Sequence, residues 1–185
     1  MTEPQELAAL RSAAWSPIPK SPGVYWWYFP ASALADLCID QTCDVLKLQL
    51  RVAKDGKVCL YHGLANNLAQ RIAWHSAQGL TASSLRSGFL STLRFTLLAL
   101  NDFHYPSAAR LIDAYFDGLS LSWQATNTKA DAAKVEHDEL AGVYHYPLNI
   151  QGNKRPELSA FHQRLMSARR AYKLLHSGKE LRHEH

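Results

Sequence analysis

Cysteine is scarce in this chain, and its scarcity is informative. Three cysteines, Cys38, Cys43 and Cys59, form no CxxC pair, and an odd number of them argues against a disulfide framework. Cys59 falls within an apolar run and reads as a small core residue. Long apolar stretches are missing as well. No run approaches 18 uninterrupted apolar residues, so nothing is expected to span a membrane. The amino terminus, MTEPQEL, is acidic and lacks the apolar core of a signal peptide. Repeats and low-complexity linkers are absent too, and a reducing cytoplasm is the expected setting. An excess of one charge sign is nearly missing: the net charge is +4 with a pI of about 9.0. That balance is compatible with nucleic acid without requiring it.

What remains is the composition of a globular protein. An apolar fraction of 47% against 19% charged residues excludes a disordered chain, and 185 residues suffice for one domain with a real core. Residues 1–20 read as an amino-terminal arm or short helix broken by Pro17 and Pro19. Residues 21–153 read as the main domain, and residues 154–185 as a basic helix and frayed tail packed on it.

Ser21-Pro22-Gly23 is a turn, and Val24 to Phe29 (VYWWYF) is strongly β-prone and bulky on both faces, which predicts a central or well-covered strand. Asp44 to Ala53 alternates apolar and polar residues and reads as a half-buried strand. Lys54-Asp55-Gly56-Lys57 is a hairpin turn signal, so this strand is expected to pair antiparallel with Val58–Tyr61. A helix follows over about residues 65–78. Ser83 or Ser84 can cap a further helix through Leu100, with Leu85, Phe89, Leu90, Leu93, Leu97 and Leu98 as its apolar stripe. Pro106 to Phe116 reads as helix, Leu119 to Ala125 as strand, Thr128 to Tyr144 as helix with Asp131 near its positive end, and Pro156 to Leu175 as a last helix. The fold class is α+β: a small, mostly antiparallel sheet of three core strands plus an added hairpin strand, flanked by helices.

The stretch that organises these elements is VCLYHGLANNLAQRIAWH, Val58 to His75. A strand ends at Tyr61-His62-Gly63, a loop-like ANN follows, and a helix carries Arg71 and His75 four residues apart on one face. Arg71 offers a planar fork of donors suited to a phosphate. A carboxylate such as Glu136 can hold one Mg²⁺, which keeps most of its waters. Tyr25 can take a proton only if neighbouring positive charge lowers its phenol, or His75 itself can be the base. Taken singly, Tyr25 and Tyr61 could be ordinary strand aromatics and Arg71 a solvated helix face.

Their order is the stronger signal. Gly23-Val24-Tyr25, Tyr61-His62-Gly63, Arg71 eight residues after Gly63, Glu136 in a later helix and Pro147-Leu148-Asn149 near the end resemble the GIY-YIG nuclease family. His75 resembles the histidine of its restriction-enzyme members. The resemblance covers about residues 22–153 and departs where His62 replaces the usual isoleucine, where Leu64 replaces a common cation, and in the longer segment between the tripeptides, Ala31 to Lys57, which is read as holding an added strand. It implies a metal-dependent DNA endonuclease using one Mg²⁺ or Mn²⁺ ion. In that scheme Glu136 holds the metal, Tyr25 is the general base, Arg71 binds the scissile phosphate, Tyr61 and His75 complete the hydrogen-bonded site, and Asn149 positions it. Glu139, three residues beyond Glu136, is the rival metal ligand. Arg71, His75, Arg86, Arg94 and Asn153 are the expected contacts to DNA. The alternatives are a nucleic-acid-binding module of the same fold without catalysis, or an interaction protein using the last helix. Oligomeric state, monomer or homodimer, is left open.

Overall fold

In the computed structural model, residues 1–81, 83–84, 90–104 and 106–176 are described. Four strands form one antiparallel sheet: β1 (Gln5–Glu6), β2 (Gly23–Phe29), β3 (Val58–Ala65) and β4 (Ser120–Ala125), in the order β1-β4-β2-β3. β2 is central, as its composition predicts. Every one of its residues is buried, because each face of the sheet has its own cover. Tyr25, Trp27 and Phe29 point into the main core, and Val24, Trp26 and Tyr28 into a smaller one behind.

The helices are α1 (Leu7–Ser12), α2 (Ala33–Asp36), α3 (Ile39–Thr42), α4 (Leu68–Ala77), α5 (Thr92–Leu100), α6 (Ala108–Asp117), α7 (Lys129–Ala141) and α8 (Ser159–His176). α4, α5, α6 and α8 supply Ile72, Leu97, Phe116 and Phe161 to the main core. α7 covers the other face through Ala132. Its amino end is a full capping box. Thr128 Oγ1 accepts the Asp131 N–H, and the Asp131 carboxylate accepts the Thr128 N–H, which is a more specific role than charge on the macrodipole. α4 starts at Asn67, whose side chain accepts the Gln70 N–H at 3.0 Å.

Two expectations change. The Asp44–Ala53 segment is not a strand. Asp44 caps a 3-10 turn over Val45–Lys47, and the hairpin keeps only one bridge, Val52 to Val58. The turn itself sits where the sequence puts it, with Gly56 at φ 83°. The upstream arm cannot zip further because the outer edge of β3 is taken: the Leu148 N–H donates to the Leu60 carbonyl at 3.0 Å, and Asn149 holds His62. The fourth strand is therefore β1, drawn from the predicted arm. The helix expected from Ser83 or Ser84 is described as α5 from Thr92, capped by Ser91. Leu85, Arg86 and Phe89 lie outside the described residues.

Candidate active site

The antiparallel register sets Tyr25 of β2 opposite Gly63 of β3 and Trp27 opposite Tyr61. Both glycines are required by close approach. A Cβ on Gly63 would lie 2.6 Å from the Tyr25 hydroxyl, and one on Gly23 would lie 2.4 Å from the Gln124 carbonyl oxygen and 2.6 Å from Leu68. The missing side chain at Gly63 is thus the space in which the Tyr25 phenol lies. Tyr25 and Tyr61 share this face of the sheet, their rings 6.4 Å apart.

α4 leaves β3 after the short 66–67 turn and lays Arg71 and His75 against the same phenol. His75 Nε2 is 2.8 Å from the Tyr25 hydroxyl, and Arg71 Nε donates to that oxygen at 3.4 Å. His75 Nδ1 is 2.5 Å from Ser91 Oγ, which also accepts the Arg94 N–H at 3.1 Å as the cap of α5. The imidazole is therefore clamped at both nitrogens. Burial, reinforced by the Arg71 charge, holds its pKa well below the ordinary histidine range, so it is neutral at pH 7. Burial raises the Tyr25 phenol, and Arg71 pulls against that rise. Burial and the neighbouring Tyr25 raise Tyr61 as well.

These groups open into a cleft of about 890 Å³ lined also by Glu136, Leu148, Asn149 and Arg169. Glu136 projects from α7, half-buried and raised in pKa by that burial. Glu139, one turn on, is already engaged. It takes a bidentate bond from Arg51 Nη2 at 2.8 and 2.9 Å and a short bond from the Tyr146 hydroxyl. The two carboxylates are thereby separated by environment: Glu139 is tied into the back of the molecule, while Glu136 faces the cleft. A half-buried carboxylate with no ion pair among the described residues suits a hard divalent ion that brings its own waters. Among the described residues no group of three or more metal-ligating side chains occurs, so a structural metal clip of the zinc type has no counterpart here.

Asn149 lies at the cleft wall. Its Oδ1 accepts the His62 N–H at 2.9 Å and its Nδ2 donates to the His62 carbonyl at 2.7 Å, tying the closing loop to β3. The His62 side chain turns to the opposite face, between Trp26 and Tyr146 at ring separations of 5.1 and 5.4 Å. Among the described residues neither of its ring nitrogens has a partner, and burial, with help from Arg51, lowers its pKa to about 3.

The structure thus brings Tyr25, Tyr61, Arg71, Glu136 and Asn149 around one cleft, with His75 buried behind Tyr25 and bonded to its hydroxyl. It does not bring Arg94 there. Arg94 is 1% exposed, donates to Asp113 at 2.5 Å and caps the end of α4 at the Ser76 carbonyl, so it presents no charge to a ligand; its expected contact to DNA is corrected. Asn153 is buried too, its amide given to the Tyr146 carbonyl at 3.1 Å, and it shapes the closing loop instead of meeting a ligand. Arg86 lies outside the described residues. Two residues at the site were not singled out from the sequence. Ser91 is recognisable only as a helix cap, and Arg169 only as one of several cations on the last helix.

Compared with known proteins, residues 23–171 match the family model for the GIY-YIG catalytic domain. The match extends past Asn153 into α8. No curated protein and no solved structure gives a significant match. Among the described residues no helix is long and apolar enough to cross a membrane.

Proposed function

This chain belongs to the GIY-YIG family and carries its nuclease-type fold, and from that premise we propose that it is a metal-dependent endonuclease hydrolysing DNA phosphodiester bonds. The observation that carries the reading is the Tyr25 hydroxyl. It touches both His75 Nε2 and Arg71 Nε at the floor of a cleft whose opposite wall carries Glu136.

In this reading Arg71 binds the scissile phosphate, where its fork of donors meets charge that grows on the phosphoryl oxygens. Tyr25 removes a proton from the attacking water. A buried phenol beside a neutral imidazole does not have to ionise first. As it takes the water proton it passes its own to His75 Nε2, while Ser91 accepts the Nδ1–H and fixes that tautomer. The oxygen–phosphorus bond to water forms as the bond to the leaving sugar oxygen breaks. The imidazolium so formed is destabilised by burial and by Arg71, so its proton returns through the Tyr25 hydroxyl to water in the cleft, and the departing sugar oxygen takes a proton from water. Glu136 holds one Mg²⁺ or Mn²⁺, which when bound supplies Lewis-acid stabilisation of phosphoryl charge. Tyr61 packs beside Tyr25, and Asn149 keeps β3 and the closing loop in register.

The binding-only alternative leans on His62 and Leu64; the His62 ring packs between Trp26 and Tyr146, away from the Tyr25 hydroxyl and Arg71. Incubating supercoiled plasmid with the protein in Mg²⁺ tests the reading. Nicked or linear DNA that disappears with EDTA is the expected result, and intact plasmid under both conditions overturns it.

A further inference from the structure

We infer that Arg169, on the last helix, is a second phosphate-binding residue of the cleft, holding a substrate phosphate neighbouring the one at Arg71; this rests on the nuclease reading. α8 packs against α5 and presents Met166 and Arg169, three residues apart, to the cleft. The Arg169 guanidinium carbon lies 5.5 Å over the Phe95 ring, so the side chain is held in place by stacking.

Three other inward-facing arginines are neutralised. Arg94 meets Asp113, Arg51 meets Glu139 and Arg11 meets Asp117. Arg169 has no carboxylate and no hydrogen-bond acceptor among the described residues. Its planar face is used by Phe95, and its five N–H donors are not. Burial lowers its affinity for its proton and the nearby Tyr61 phenol partly offsets this, so the charge sits in a partly dry place beside the catalytic tyrosines. The cleft therefore carries two guanidiniums, Arg71 and Arg169, against one carboxylate, Glu136. A half-buried, preorganised and unmatched guanidinium is a device for an anion, and the anion of this cleft is a chain of phosphates.

The test uses the whole chain and a fluorescein-labelled DNA duplex, with EDTA present so that nothing is cut, titrated across a range of salt concentrations. Arg169→Met keeps an unbranched side chain of similar reach beside Phe95 and removes the charge. It is expected to weaken binding about tenfold at low salt and to lower the slope of log K against log salt by about 0.9, one phosphate contact. Arg169→Lys is expected to restore the slope and only part of the affinity. Thermal midpoints of the variants are compared first. If Arg169→Met melts early, Arg169→Gln takes its place with the same expectation. A wild-type slope in a folded, charge-free variant overturns the inference alone and leaves Arg169 as packing. A wild-type chain that neither binds nor cuts the duplex overturns the nuclease reading and this inference with it.

Discussion

Asn149 clasps the peptide of His62 with both ends of its amide, accepting the N–H at 2.9 Å and donating to the C=O at 2.7 Å. A side chain here does the work of a neighbouring strand. Asn149→Ala leaves both backbone groups buried without partners, at a cost of about 1–3 kcal/mol. Asn149→Asp keeps the acceptor but turns a second oxygen on the carbonyl. Both variants are expected to melt several degrees early. Because β3 carries Tyr61 and Gly63, both should also lose cleavage beyond what the lost stability explains, as measured well below the melting range. Wild-type rates at that temperature would show that the clasp matters to the fold alone.

Tyr25→Phe and Tyr61→Phe separate the two phenols. Removing the Tyr25 hydroxyl strands His75 Nε2 and one Arg71 donor in a dry site, so this variant is expected to lose about 1–3 kcal/mol of stability as well as cleavage. Tyr61→Phe is expected to keep its thermal midpoint and lose less activity. Denaturant melts and plasmid nicking rates measure both. Equal rates for the two variants would remove Tyr25 from proton transfer.

Arg71→Ala is expected to reduce cleavage by 10²–10³-fold, the range of about 3–4 kcal/mol for a lost electrostatic contact to the transition state. Its fold is expected to survive, since Arg71 touches the Trp74 ring, makes one long bond to the Tyr25 hydroxyl and has no carboxylate partner among the described residues. Cleavage within tenfold of wild type would make Arg71 a surface residue.

Glu136 and Glu139 should respond in opposite ways. Glu136→Gln is expected to abolish metal-stimulated cleavage with little change in melting and with DNA binding kept or strengthened. Glu139→Gln deprives Arg51 of its charged partner and is expected to cost about 1–3 kcal/mol while cleavage persists. Calorimetric Mg²⁺ titration and matched nicking assays decide it; loss of metal binding in Glu139→Gln alone would transfer the metal to that carboxylate.

His62 and His75 should make the protein acid-sensitive. Both are buried and have folded pKa values below the unfolded value near 6.5, His62 at about 3. The unfolded chain therefore binds protons first as pH falls below about 6.5, and each histidine removes about 1.4 kcal/mol per pH unit until its folded pKa is reached. His62→Ile is expected to raise stability at pH 7 by roughly 1 kcal/mol, since two unpartnered ring nitrogens leave the core, and to lower the acid slope by about 1.4 kcal/mol per pH unit, one histidine's share. Melting curves between pH 7 and 4 measure this, and an unchanged slope would mean that His62 is hydrated.

The sequence made some of this legible and hid the rest for physical reasons. Arg71 and His75 are legible as one helical face because i, i+4 spacing is a local rule, whereas Tyr25 and Tyr61 stand out only through the order of motifs that resembles the GIY-YIG family; the structure gathers all four. Asp44–Ala53 misled because alternation reports one-sided burial and says nothing of who owns the neighbouring edge; residues 148–149, far along the chain, own it. Arg94 misled because its partner Asp113 is on another helix, so the ion pair that buries it has no local signature. Glu136 and Glu139 are ranked only by the spacing that the family resemblance implies, and their environments diverge through Arg51 and Tyr146. Arg169 meets the cleft through the packing of α8 on α5, which no short-range pattern encodes.

With Leu148 and Asn149 seated along β3, a strand from a second copy of the chain finds the peptide groups of Leu60 and His62 already spoken for. At the other end of the sheet β1 offers two residues, one of them Glu6, whose carboxylate is held by Lys57 at 2.6 Å. Growth of the sheet by addition of strands, a common route to fibrils, therefore lacks a template at either margin among the described residues. Crowding of this chain, or its passage through a partly unfolded state, becomes hazardous when the 145–149 segment lifts away, and that segment is also the one that fixes the cleft.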